Sequence, residues 1–168
     1  MQSISDVITL TDAEVRLARH LVMTRRHHGQ VERRLRSKRD PVEVEVDGME
    51  AELAFCRFQN IYPDLETTCR STAHQYDCIT ADGVRVDVKW CERQRDHLIT
   101  IPNKIGCNEI DAFVLVQGKR PTFRIVGWTP FSTLIDVSKL RDFGYGPTYA
   151  MAQEDLSPMA TLHEARPS

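Results

Sequence analysis

The stretch "QYDCITADGVRVDVKW", residues 75–90, constrains the fold more than any other part of the chain. Two runs of apolar and β-branched residues flank Ala81-Asp82-Gly83, the pattern of two strands joined by a tight turn. Three charges interrupt them: Asp77 in the first run, Asp87 and Lys89 in the second. Side chains alternate across a strand, so the turn decides where those charges point. A two-residue Asp82-Gly83 turn pairs Ala81 with Val84 and sends Asp77 and Asp87 to opposite faces. A three-residue loop, Ala81-Asp82-Gly83, wants glycine last, in the left-handed conformation, and Gly83 is there. It pairs Thr80 with Val84, Cys78 with Val86 and Asp77 with Asp87, and Lys89 follows on the same face. Tyr76, Cys78, Val86, Val88 and Trp90 then line the other, buried face.

Two facing carboxylates repel each other unless a cation lies between them, and oxygen ligands of this kind suit Mg2+ or Mn2+. A lysine beside them can orient or deprotonate a water, or stabilise charge developing on a phosphate. An edge-strand ion pair, with Lys89 neutralising the acids, is the plainer account of the same three residues. A fourth group weighs against it. "DGMEAELAFCRFQ" reads as a helix over residues 48–60, capped by Asp47, with Pro63 beyond its end. Glu50 falls at the capping-box position relative to Asp47, which gives it a structural role. Glu52 has none, and it borders the apolar side that carries Phe55 and Cys56. Glu52 is therefore the helix acid expected to reach the two aspartates.

Around this centre the pattern predicts a helix over residues 11–28. Thr11 and Glu14 have capping-box spacing, and Val15, Ala18, Leu21 and Val22 form an apolar stripe. Gly29 ends it, Pro41 closes a second basic segment, and "VEVEV" alternates like a short strand. Further strands are expected at 75–80, 84–91, 97–101, 112–117 and 122–128, with a short helix in "FSTLIDVSKL". From "FGYGPTYA" onward periodicity is lost. The expectation is one α/β domain of 168 residues with a mixed sheet. It divides into a basic helical extension (1–46), a core (47–133) and an irregular tail (144–168).

Net charge is only -2, but nine of the 22 Lys and Arg crowd into residues 16–39, opposed there by Glu32 alone. That asymmetry suits a phosphate-binding footprint. The five cysteines form neither a CxxC pair nor a zinc-finger interval, so they read as reduced and mostly buried. No apolar run is long enough to span a bilayer and the N-terminus lacks a signal-peptide pattern, which leaves a cytoplasmic location as the expectation.

The residues "GMEAELAFCR", "YDCIT" and "DGVRVDVKW" together resemble the PD-(D/E)XK nuclease superfamily, in particular its compact Holliday-junction-resolvase and restriction-endonuclease-like members. The resemblance covers residues 48 to about 128. The helix acid of the family maps onto Glu52, its metal-binding aspartate onto Asp77, the acid of the signature onto Asp87 and the lysine onto Lys89. The proline of the family signature is replaced by Tyr76. The resemblance implies a restriction-endonuclease-like core in αβββαβ order around a four-stranded mixed sheet. It implies a metal-dependent DNA endonuclease that leaves 5′-phosphate and 3′-hydroxyl ends, with Mg2+ held by Asp77, Asp87 and the Val88 carbonyl and tuned by Glu52, and with Mn2+ able to substitute. Members often act as homodimers, because cutting two strands needs two sites. Contacts to the DNA backbone are expected from Arg25, Arg26, Arg33, Arg34, Arg36, Lys38 and Arg39. Arg93, Arg95 and Lys104 are expected to contact it near the site. A non-catalytic DNA-binding or assembly subunit with a nuclease-like fold is the alternative.

Overall fold

A computed structural model of the chain describes residues 6–28, 39–67, 76–94, 96–102 and 109–166. Helix α1 (Asp12–His27) starts as its sequence dictates. The Thr11 hydroxyl accepts from the Glu14 N–H at 3.2 Å, and the Glu14 carboxylate accepts from the Thr11 N–H at 2.6 Å. Ala18, Leu21 and Val22 are buried.

Helix α2 (Pro41–Gln59) departs from expectation, because the supposed "VEVEV" strand and the stop at Pro41 are both part of it. Proline suits a first helical position, where its missing N–H has no helical acceptor to lose. The Asp40 carboxylate caps the end by accepting from the Val42 N–H at 2.8 Å. Val42 and Val46, four residues apart, share the face turned to the core. The intervening acids turn to α1 instead, with Glu43 meeting Arg19 at 2.6 Å and Glu45 taking two bonds from Arg26 at 2.8 and 3.0 Å. Asp47 is thus a buried mid-helix residue rather than a cap, and the border drawn at residue 46 falls inside α2.

The main sheet is mixed. It contains β1 (Val7–Thr9), β2 (Cys78–Ile79), β3 (Arg85–Cys91), β5 (Ala112–Lys119) and β6 (Thr122–Pro130), in the order β1-β6-β5-β3-β2. β3 and β5 run parallel and the other pairs antiparallel. Arg85 locks the parallel pair at its start, donating to Asp111 from its N–H, Nε and Nη2 at 2.7–3.0 Å. A second sheet has the order β4-β8-β7, from β4 (Leu98–Thr100), β7 (Leu140–Asp142) and β8 (Pro147–Met151). The crossover from β3 to β5 passes through β4, and its described residues hold no α-helix, a departure from the αβββαβ order.

Two apolar layers result. On one face Val84, Val86, Val88, Ala112, Val114 and Val116 meet α2 through Val46, Met49, Leu53, Ala54 and Cys56. On the other, Cys91, Phe113 and Leu115 meet Leu98, Tyr149 and Met151 of the second sheet, together with Leu134 of α3 (Phe131–Leu134). Each fully buried large side chain in such layers contributes about 1.5–3 kcal/mol. Tyr76, expected beside Cys78, packs into the second layer instead, because β2 begins only at Cys78.

The region after Gly144, expected to be irregular, is built into the fold. β8 pairs on both sides, Leu162 is buried, and the Trp128 indole donates to Pro158 O and the Thr161 hydroxyl at 3.1 Å. Gly127 permits this closure, since a Cβ there would lie 2.8 Å from Ser157 O. No helix among the described residues is long and apolar enough to cross a membrane.

Candidate active site

The hairpin takes the three-residue loop. Cys78 pairs with Val86, the Thr80 N–H donates to Val84 O at 2.9 Å, and Gly83 has φ +83°. A Cβ at Gly83 would meet nothing within 4 Å, so only its backbone conformation requires glycine. Gly83→Ala is accordingly expected to cost about 1–2 kcal/mol, read as a lower denaturant midpoint, and Gly83→Asn less. An alanine variant as stable as the parent would show that the left-handed loop does not hold the register.

Asp77 lies one residue before the last strand pair, Cys78 with Val86, and is not itself a strand residue. The Asp77 N–H donates to Val86 O at 2.8 Å, and the Asp77 carboxylate accepts from the Val88 N–H at 2.7 Å. The side chain thereby takes over a ladder bond where β2 has not yet begun, which holds one acid against the backbone of the D-x-K strand. Asp87 is 2% exposed and ion-paired with the Lys89 ammonium, which also lies 5.9 Å from the centre of the Phe113 ring. Lys89 keeps 25% of its side chain exposed, so the pair reaches the surface through the lysine.

Glu52 is half-buried on α2. Its charge and that of Asp77 are the smallest of the influences that push up the pKa of the buried Cys78 thiol, after a hydrogen bond with Cys56, burial and the charge of Cys56. α2 packs on the Val86 and Val88 face of β3, whereas Asp87 and Lys89 lie on the other face, so Glu52 is not brought onto the face of Asp87 as expected. Glu50 points elsewhere: it is 0% exposed and takes a 2.6 Å bond from Arg120 Nε. Its capping-box role falls away, since Asp47 caps nothing. Among the described residues, no three His, Cys, Asp or Glu side chains converge into a ready-made metal site. The donor set of Glu52, Asp77 and Asp87 is nonetheless all carboxylate oxygen, the chemistry that Mg2+ and Mn2+ prefer.

The basic N-terminal residues are less available to phosphate than their number suggests. Arg25 is buried and donates to Glu66 O at 2.9 Å and Asp64 O at 3.0 Å, so it braces the loop after α2 and is removed from the expected DNA contacts. Arg26 is engaged by Glu45, and Arg39 pairs with Asp47 at 2.7 Å and lies 5.6 Å from the Trp90 ring centre. Arg93 is exposed at the end of β3. Arg33, Arg34, Arg36, Lys38, Arg95 and Lys104 lie outside the described residues. The Glu50–Arg120 pair was not foreseen from the sequence, since its partners are 70 positions apart and no local pattern joins them.

Residues 4–118 match a family of unknown function, DUF5843. The chain belongs to that family. The span shared with DUF5843 includes Glu52, Asp77, Asp87 and Lys89 and ends within β5, short of β6, β7 and β8. A comparison of this DUF5843 chain with curated proteins found no match, and neither did one with solved structures.

Proposed function

We propose that this DUF5843 chain is a metal-dependent DNA nuclease that hydrolyses phosphodiester bonds and leaves 5′-phosphate and 3′-hydroxyl ends. One observation carries the reading: the Asp77 carboxylate is tied to the N–H of Val88, the residue between Asp87 and Lys89, and Lys89 is paired with Asp87. The order helix acid, Asp, D-x-K and the similarity to PD-(D/E)XK nucleases support the same assignment.

A divalent cation held by Asp77, Asp87 and the Val88 carbonyl, with Glu52 outside them, would supply Lewis-acid polarisation of a phosphate oxygen. The protein's own groups do the rest. Asp77, tied to the Val88 N–H, and Asp87, paired with Lys89, would turn carboxylate oxygens to that cation. The Lys89 ammonium can donate to the attacking water or to a phosphate oxygen gaining charge, and its partial exposure gives it access to substrate. Arg93 and the cations of residues 33–39, 95 and 104 supply backbone affinity that weakens with salt. Two copies of the chain acting together would cut both strands of a duplex.

The test is a panel of single-stranded, duplex, flap and four-way-junction DNA incubated with Mg2+ or Mn2+. Cleavage of at least one substrate is expected, with 5′-phosphate ends and none in chelator. Binding without cleavage favours the second reading, a non-catalytic DNA-binding subunit, for which the closed Asp87–Lys89 pair also speaks. Neither binding nor cleavage overturns both.

A further inference from the structure

Thr100 is 3% exposed, and its hydroxyl has no hydrogen-bond partner among the described residues. A buried hydroxyl without a partner costs folding free energy that valine, an equally good strand former, would not incur. The position of Thr100 suggests what compensates. On β3, Asp87, Lys89 and Cys91 share one face by strand alternation, and Cys91 lies in the apolar layer between the two sheets. Leu98 of β4 lies in that same layer, and Thr100 shares its face, paired with the buried Tyr149 of β8. The connection between β3 and β4 is held by Gln153, whose Nε2 donates to Asp96 O at 2.9 Å. Two residues back from Cys91 is Lys89, and two residues on from Leu98 is Thr100. The second sheet thus turns a hydroxyl towards the layer into which the first sheet turns Asp87 and Lys89.

We propose that Thr100 is a further residue of the Lys89 site: its hydroxyl and the Lys89 ammonium hold one water molecule between the two sheets, the nucleophile of the hydrolysis proposed above. The inference rests on the nuclease reading for the role of that water, but not for its place. Thr100 accepts one hydrogen bond from the water and Lys89 donates one to it, so the second lone pair of the water is free to form the bond to phosphorus as the P–O3′ bond breaks, the 3′-oxygen leaving as a hydroxyl with a proton from solvent and the water's proton passing to solvent. The hydroxyl is then satisfied, and β4 becomes part of the site instead of a cover over it.

The experiment compares the wild type with Thr100→Val, Thr100→Ser and Lys89→Met. Thr100→Val removes the hydroxyl while nearly keeping the side-chain shape, and it should fold with an unfolding midpoint at or above that of the wild type. Its kcat is expected to fall about tenfold, the worth of one hydrogen bond to the water, with KM little changed, and Thr100→Ser to recover most of the rate. Wild-type kcat in Thr100→Val, while Lys89→Met is inactive, would overturn the Thr100 role and leave the nuclease reading standing. If the wild type itself cleaves no DNA, the nuclease reading fails and crystal structures of wild type and Thr100→Val decide the water's place. A water within hydrogen-bond distance of both Thr100 Oγ1 and Lys89 Nζ is expected in the wild type and not in Thr100→Val. Its absence from the wild type would overturn the inference.

Discussion

Replacing Lys89 with methionine is expected to slow DNA cleavage by about two to four orders of magnitude while leaving divalent-metal binding intact. Methionine preserves much of the unbranched stem beside Phe113 and removes only the ammonium. A positioned proton donor or acceptor of this kind contributes about 10²–10⁴ in rate. Metal affinity, read by calorimetry with Mn2+, should hold or rise, because the acids lose a competing cation. The variant also leaves Asp87 buried without its lysine, so some loss of stability is expected. Asp87→Asn combined with Lys89→Met separates the two effects: it should restore the unfolding midpoint but not the cleavage. Full activity in Lys89→Met would remove the lysine from the mechanism. Equal loss of activity and of fold, both regained in the double variant, would make the pair structural only.

The parts of this site legible in the sequence were those fixed by local chemistry. Gly83 at the end of a three-residue loop determines which residues face each other, and strand alternation then carries Lys89 to the face of Asp87. The carboxylate bond from Asp77 to the Val88 N–H was not legible, because it depends on β2 being shorter than its apolar run. "VEVEV" misled because its valines fit two periods: 42, 44 and 46 alternate, while 42 and 46 also stack one helical turn apart. What decides between them is tertiary, since Glu43 and Glu45 find Arg19 and Arg26 on α1 only if the segment is helical. Glu43 and Glu45 lie outside the basic span 16–39, so a charge count along the chain misses the pairs they make with Arg19 and Arg26. The same limit hid β8, whose "PTYAM" is buried at four successive positions and carries no alternation to read.

Arg120→Met is expected to destabilise the protein at neutral pH more than any substitution in the hairpin, by about 3–5 kcal/mol. Arg120 reaches α2 from the turn between β5 and β6, with Nε 2.6 Å from Glu50 and Nη2 3.8 Å from both Asp47 and Glu43. Glu50 is completely enclosed, so the variant leaves a buried carboxylate without the guanidinium that is bonded to it. Arg120 is itself 34% exposed, which places the cost towards the lower end of that range. Burial already holds the Glu50 carboxyl above its ordinary value of 4.5, against the hydrogen bond and charge of Arg120. Without Arg120 it rises further. A folded-state pKa above the unfolded one gives a penalty that is absent below the unfolded value and grows as pH rises through the folded value. The gap in unfolding free energy between wild type and variant should therefore be smallest near pH 4.5 and widen towards pH 7. Adding Glu50→Gln to Arg120→Met should recover much of the loss at pH 7 and flatten the pH dependence. A gap that is the same at both pH values would assign the loss to packing around the turn rather than to the stranded charge.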